Sequence, residues 1–125
     1  MGTGVFKEIN MKKIILLSLF LYLTSCVTNT DSSKTVFSNI ALPTMQCGMC
    51  VSNIENALNK IDGIEKIKVD LKNLSVKVKH DTEKISLQEV EQLITMSGYQ
   101  ANNKKPNINA YNQLAMCCRV PEDRK

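Results

Sequence analysis

Apolar residues recur at every second position in three stretches of the chain, which is the period of a β-strand with one buried face. The first strand has Val36, Ile40 and Leu42 on one face and ends at Pro43, which cannot donate to a sheet ladder. The second strand shows a slip of one residue near its start, and a turn at Lys72-Asn73 separates it from the third. Their apolar positions are Ile64, Ile67, Val69 and Leu71, then Leu74, Val76 and Val78.

Two segments show instead the 3.6-residue period of an amphipathic helix. The first follows the first strand and ends at Asp62-Gly63; its apolar stripe is Val51, Ile54, Leu58 and Ile61. The second begins at Ser86, where Glu89 three residues later makes a capping box, and it ends at Gly98. Its apolar positions are Val90, Leu93 and Ile94.

Residues 99–101 predict a fourth strand, so the elements follow the order βαββαβ. This order is that of the ferredoxin-like sandwich, an α+β fold with an antiparallel sheet and two helices on one face. We therefore expect one domain over residues 35–103. Residues 104–125 form a tail with a short helix that begins at Pro106-Asn107, carries Ile108, Tyr111 and Leu114 on one stripe, and is closed by Pro121.

The N-terminal segment has the pattern of an export signal. Met11 is followed by two lysines and then by residues 14–23, which are apolar except for one serine. The sequence LTSC, residues 23–26, comes at the end of this apolar stretch. Ten helical residues span ~15 Å, about half of a ~30 Å hydrocarbon core, which favours a signal peptide over a transmembrane helix. Residues 1–10 are an upstream extension, residues 11–25 the signal peptide, and residues 26–34 a polar tether.

LTSC resembles the lipobox of bacterial lipoproteins, and this resemblance implies cleavage before Cys26 and lipidation of its sulfur. The protein would then be membrane-anchored in the bacterial cell envelope, facing the periplasm or the cell exterior. The alternatives are an ordinary signal peptide with a later cleavage site and an uncleaved anchor.

Composition and charge exclude some classes of function. The 125 residues carry a formal charge of +4, without a run of five like charges and with few aromatic residues, so nucleic acid is not an expected partner. Residues 1–25 hold three lysines and one glutamate, so their removal lowers the charge to +2. The chain shows no nucleophile–base pair, and His80, its one histidine, is remote from the cysteines in the predicted sheet. We expect no enzyme.

The candidate chemistry lies in the cysteines. Cys47 and Cys50 form a CxxC motif in the loop between the first strand and the first helix. The dipole and free amides of a helix N-terminus lower the pKa of nearby thiols, and soft thiolates select Cu(I), Zn(II) or other thiophilic ions such as Hg(II). Two thiolates suffice for a nearly linear Cu(I) or Hg(II) ion, whereas structural Zn(II) normally takes four ligands.

Several motifs together resemble the heavy-metal-associated domain. The segment PTMQCGMCVSNIENALNKIDGIEKIKVDL and the later SGY follow the family's order over roughly residues 35–102. The family comprises copper chaperones, modules of metal-transporting ATPases and the periplasmic mercuric-ion-binding protein. The resemblance implies that Cys47 and Cys50 bind the metal, with Cu(I) the first expectation and Hg(II) or Zn(II) the alternatives, and that a metal-transporting ATPase or another metal-binding protein is a partner.

The resemblance also assigns roles to neighbouring residues. It implies that Met45 packs into the core beneath the loop, and that Tyr99 matches the tyrosine beneath the loop of bacterial copper modules, with ordinary core packing as the alternative. Thr44 stands where the family usually has glycine, which predicts a stiffer loop.

The tail adds two adjacent cysteines, Cys117 and Cys118. In a four-stranded sheet the tail would leave from the end opposite the CxxC. Residues 104–116 cover ~20 Å as helix and up to ~43 Å when extended, so the tail can return over the site. The two cysteines are candidate additional metal ligands; the alternatives are a vicinal or intermolecular disulfide and two unpaired thiols.

Three classes of function follow. The first is an envelope metal carrier, chaperone or scavenger. The second is a thiol-disulfide redox protein, although the aromatic residue and cis-proline usual around a thioredoxin-like CxxC are not visible. The third is an adaptor with a structural CxxC disulfide and a partner-binding tail.

Overall fold

A computed structural model of the protein describes residues 34–125. Its strands are β1 (Thr35–Ala41), β2 (Ile64–Asp70) and β3 (Ser75–Asp81), and its helices are α1 (Gly48–Leu58), α2 (Leu87–Met96) and α3 (Ile108–Gln113). Two 3-10 turns follow α3, at Met116–Cys118 and Pro121–Asp123. The upstream extension, the signal peptide, Cys26 and the tether up to residue 33 lie outside the described residues.

The three strands form an antiparallel sheet in the order β1-β3-β2. The inner face of this sheet is buried against the helices, and Ile40, Val76 and Val78 are fully buried on it. On the outer face Phe37 is 58% exposed and the Lys77 ammonium lies 4.9 Å from its ring centroid. Helices therefore cover one face only, and the predicted α+β, ferredoxin-like fold is confirmed.

The slip in the pattern of the second strand is a β-bulge. The pairing of β2 with β3 shifts between Ile64 and Lys66, which leaves Glu65 as the extra residue. Because one extra residue reverses the alternation, Ile64 and Ile67 both reach the inner face. Leu71 and Leu74 lie outside the strands, are 39% and 37% exposed, and belong to the connecting turn.

Both predicted helices of the domain are present. The α1 stripe buries Ile54 and Leu58, and the helix ends at Leu58, three residues before the last predicted stripe position. At the start of α2 the Ser86 hydroxyl accepts from the Glu89 amide, and the Glu89 carboxylate accepts from the Ser86 amide at 2.8 Å. This reciprocal pair is the predicted capping box.

The fourth strand does not form, and this part of the prediction is wrong. One backbone bond joins the segment to β1, from the Asn102 amide to the Ala41 carbonyl at 2.8 Å. The Ala41 amide donates instead to the Asn102 side-chain oxygen, at 2.8 Å. Asn102 has a φ of 50°, and Ala101 pairs with Lys104 in an isolated bridge. The chain therefore reverses direction after Asn102 has bonded to Ala41 of β1.

This reversal changes where the tail begins. Ala41 ends β1, and the CxxC loop follows it directly, so the tail leaves from the same end of the domain as the CxxC and not from the opposite end. The α3 stripe also differs from the prediction, because Ile108 is 64% exposed whereas Tyr111 is buried. Pro121 starts a separate 3-10 turn and does not close α3, which ends at Gln113.

Within residues 34–125, the part of the chain that the structure describes, no helix has the length and apolar character needed to cross a bilayer.

Candidate metal centre

Backbone hydrogen bonds hold the start of the loop between β1 and α1. The Leu42 amide donates to the Leu74 carbonyl at 2.7 Å, and the Met45 amide donates to the Leu42 carbonyl at 3.0 Å. The Met45 side chain is 1% exposed and belongs to the hydrophobic core. Met45 therefore packs beneath the loop, where its thioether supports the loop from inside.

Thr44 forms a contact that the sequence did not predict. Its hydroxyl oxygen accepts from the Gln100 amide at 2.9 Å, which ties the loop to the segment after α2. A glycine at this position has no side chain to make this bond. The bond gives a physical reason for the stiffer loop expected at Thr44.

Cys47 and Cys50 meet at the N-terminus of α1. Cys47 is the N-cap residue, with an extended φ of −155°, and Cys50 lies in the first turn and is fully buried. Their Sγ atoms are 3.4 Å apart. Spacing by three residues across the helix start is what turns both thiols toward one point.

The electrostatics of this site favour a thiolate at Cys47. Hydrogen bonds donated to the Cys47 sulfur lower the pKa of Cys47 from its usual 9.0 to about 7, against the opposing effect of partial burial. The Cys50 backbone amide has the largest effect, followed by the Cys50 and Cys118 thiols and the Met49 amide. Free amides at a helix start stabilise anions in this way.

The tail brings a third thiol to the same point. Cys118 is fully buried, and its Sγ lies 3.8 Å from that of Cys47, although 71 positions separate them in the sequence. The three Sγ atoms of Cys47, Cys50 and Cys118 all lie within 4.8 Å of one another. Cys117 is exposed and is not in this cluster, and all four cysteines of residues 34–125 are free thiols.

Tyr99 lies beneath this cluster and is fully buried. Its hydroxyl accepts from the Asn53 side-chain amide at 3.0 Å. Burial raises the pKa of Tyr99 and of Cys118 well above their usual values. The role of Asn53 could not be read from the sequence, because a polar residue on a helix is usually a solvated one.

His80 belongs to a separate structural network. It is 1% exposed, with Nδ1 2.8 Å from the Ile85 carbonyl oxygen and Nε2 2.9 Å from the Ser38 hydroxyl. It pairs with Val36 near the start of β1, while the CxxC follows the end of that strand. Both ring nitrogens have partners in the fold, which accounts for a buried histidine outside the cysteine cluster.

Comparison with known proteins agrees with this geometry. Residues 39–100 match the heavy-metal-associated domain, a segment that contains the CxxC. The mercuric transport protein periplasmic component of Shewanella putrefaciens is 36% identical over 95 residues, which is 76% of this chain and 100% of that protein. The chain belongs to the heavy-metal-associated domain family.

Other members of the heavy-metal-associated domain family show similar agreement. Copper chaperone CopZ of Staphylococcus aureus (strain bovine RF122 / ET3-1) is 40% identical over 55 residues, 44% of this chain and 81% of that protein. The structure of a CopZ metallochaperone aligns with a TM-score of 0.51 at 33% identity, covering 53% of this chain and 98% of that one. The cysteine cluster and the family together support metal binding. The tail that carries Cys118 lies beyond residues 39–100, the segment that matches the family.

Proposed function

We propose that this protein carries Cu(I) in the bacterial cell envelope, bound between the thiolates of Cys47 and Cys50. The observation that carries this proposal is the 3.4 Å separation of their two sulfur atoms at the start of α1. Two soft thiolates at one point match the two-coordinate preference of Cu(I), whereas a structural Zn(II) ion requires four ligands.

Two further features support Cu(I). Tyr99 occupies the position beneath the loop at which the bacterial copper modules that the sequence resembles have a tyrosine, and it is tied to α1 through Asn53. A relative named as a copper chaperone is 40% identical over 55 residues. The lowered pKa of Cys47 provides a thiolate near neutral pH.

The envelope location rests on the N-terminal segment. The lipobox-like LTSC places the lipidated residue at Cys26, and the relative from Shewanella putrefaciens is named as a periplasmic component. The protein is then a membrane-anchored lipoprotein whose polar tether, residues 26–34, separates the metal domain from the bilayer. From there it sequesters the ion or passes it to a metal-transporting ATPase or another metal-binding protein.

Anaerobic Cu(I) titration of the reduced protein against a chromophoric chelator tests the binding site. Wild type and Cys117→Ser, a matched control at an exposed cysteine, should each bind one ion tightly, and Cys47→Ser and Cys50→Ser should each lose tight binding. Circular dichroism checks that the variants keep their fold. Unchanged affinity in Cys47→Ser or Cys50→Ser would move the site elsewhere.

The same preparation separates the carrier from a thiol-disulfide redox protein. A redox protein would have a reduction potential within the range of about −270 to −120 mV that spans known oxidoreductases. Retention of one Cu(I) per chain in the presence of a competing chelator is the result that the carrier predicts.

A second candidate cargo is Hg(II), favoured by the alignment with the mercuric transport relative over its whole length. Hg(II) also accepts two thiolates, so the site alone does not separate the two ions. The metal tolerance of bacteria that lack this protein distinguishes the two ions. Greater sensitivity to copper supports Cu(I), whereas greater sensitivity to mercury with unchanged copper tolerance supports Hg(II).

A further inference from the structure

We propose that Cys118 is a third sulfur ligand to the ion held by Cys47 and Cys50, so that the C-terminal tail closes the site. This inference rests on the proposed function, because it adds a ligand to the same ion. The ion then has three sulfur ligands in trigonal coordination. A dithiol partner can take the ion only after Cys118 has been displaced.

The spacing of the sulfur atoms fits one ion. An ion equidistant from three sulfurs lies at the circumradius of the triangle that they form. With edges of 3.4 and 3.8 Å at Cys47, this radius is about 2.1 Å for a third edge of about 3.8 Å and about 2.4 Å for a third edge at the 4.8 Å limit, close to the thiolate–metal distance of about 2.3 Å. Small side-chain rotations therefore suffice to bring all three sulfurs to one ion.

The two tail cysteines have different surroundings. The Cys118 thiol is fully buried among the other two thiols and the Tyr99 hydroxyl, whereas the Cys117 side chain is exposed and its carbonyl accepts from Arg124. The 3-10 turn at Met116–Cys118 turns one side chain inward and its neighbour outward. Cys118 is thus the tail ligand, and Cys117 is not.

The tail is docked on the domain at several independent points. The Asn107 amide donates to the Thr95 carbonyl at 2.8 Å, where α2 ends, and Leu114 packs against the core. At the far end the Arg124 guanidinium reaches the Gln46 side-chain oxygen, next to Cys47, at 3.4 Å.

Internal hydrogen bonds also hold the shape of the tail. The Tyr111 hydroxyl donates to the Asp123 carboxylate at 2.8 Å and accepts from the Val120 amide at 3.0 Å, which closes the segment around Cys118. A tail held by its own bonds and by the domain presents Cys118 at a defined position before the ion arrives. This preorganisation lowers the ordering entropy that ligation must overcome.

The chemistry of the third ligand is simple ligand addition. The Cys118 S–H bond breaks, its proton goes to water, and the sulfur lone pair forms the new bond to the metal, with no change of oxidation state. Cu(I) and Hg(II) accept three thiolates, whereas Zn(II) would still lack a fourth ligand. The expected cargo is therefore a soft ion that is stable in trigonal sulfur coordination, held more firmly than by the CxxC alone.

X-ray absorption and competition with a chelator, both on the full chain loaded with Cu(I), test this inference. Wild type and the matched control Cys117→Ala should show three sulfur neighbours, and Cys118→Ala should show two. Release of Cu(I) to the chelator should be at least tenfold faster from Cys118→Ala than from the control. Circular dichroism verifies that each variant is folded.

If Cys118→Ala fails to fold, the coordination numbers of wild type and Cys117→Ala still test the third ligand. Two sulfur neighbours in wild type would overturn the third ligand while leaving the proposed CxxC carrier intact. Three neighbours that persist in Cys118→Ala but fall to two in Cys117→Ala would overturn the assignment to Cys118. No Cu(I) or Hg(II) binding by wild type would overturn the proposed function and this inference together.

Discussion

The side-chain amide of Asn53 donates to the Tyr99 hydroxyl at 3.0 Å, and so α1 is linked to the segment that follows α2. The same hydroxyl is close enough to the Cys118 thiol that each group affects the pKa of the other. A chain of polar contacts therefore runs from the helix that starts at the CxxC to the tail. Because Tyr99 is fully buried, its hydroxyl is shielded from water.

Replacement of this tyrosine by phenylalanine tests the link. Tyr99→Phe keeps the ring but leaves the Asn53 amide without its partner, and we expect the free energy of unfolding to fall by about 1 kcal/mol. Chemical denaturation followed by circular dichroism measures this change. In a double-mutant cycle with Asn53→Ala the two effects should not add, since both variants remove the same bond; strict additivity would contradict the link.

Gly98 is a second position where the structure predicts a specific loss. Its φ is +92°, and a Cβ built there lies 3.0 Å from the Tyr111 amide nitrogen in the docked tail. A left-handed conformation alone costs an alanine roughly 1 to 2 kcal/mol, so Gly98→Ala should destabilise the protein by about that amount or more. Hydrogen exchange should also become faster at the Asn107 amide, which is bonded to Thr95.

Gly48 supplies the matched control for this variant. A Cβ built at Gly48 meets nothing within 4 Å, and the residue is helical. Gly48→Ala should therefore change the free energy of unfolding by less than about 1 kcal/mol, in the stabilising direction. An equal loss in both variants would mean that Gly98 has no special contact with the tail.

The thiol of Cys47 should react at lower pH than an ordinary cysteine. Only the thiolate is nucleophilic, and the pKa of Cys47 is lowered to about 7, first by the Cys50 amide. In the reduced, metal-free protein the rate of alkylation at Cys47 should rise with pH to a plateau, with a midpoint near pH 7. Mass spectrometry of the labelled peptides gives the rate at each cysteine.

Removal of a hydrogen-bond donor gives the control for this measurement. Cys118→Ala deletes one thiol that donates to the Cys47 sulfur, so the midpoint should move upward while the protein stays folded. A wild-type midpoint close to 9 would show that the amides at the start of α1 do not stabilise the thiolate.

Lipidation at Cys26 predicts the location of the protein. Cys26→Ala lacks the thiol that accepts the diacylglyceryl group, so the variant should appear in the soluble envelope fraction while wild type sediments with membranes. Labelling with radioactive palmitate should mark wild type alone. Tight membrane binding of the alanine variant would refute the lipoprotein assignment.

The sequence was sufficient for the elements whose signals are local. The two-residue period identified β1 to β3, the slip at Ile64 became the bulge, and the capping box at Ser86 marked the start of α2. Each of these features depends on residues that are close in the chain, so their physical causes can be read directly from residue order. The CxxC between a strand and a helix was also visible, because its position relative to both elements is a local property.

Tertiary structure decided what depends on residues far apart in the chain. The fourth strand was lost because the Asn102 side chain takes the place of a backbone carbonyl opposite Ala41, and its left-handed φ turns the chain away. That turn placed the tail at the CxxC end of the domain. In the sequence Cys117 and Cys118 are equivalent neighbours, and only the packing of the tail against the domain buries one thiol beside Cys47 and leaves the other exposed.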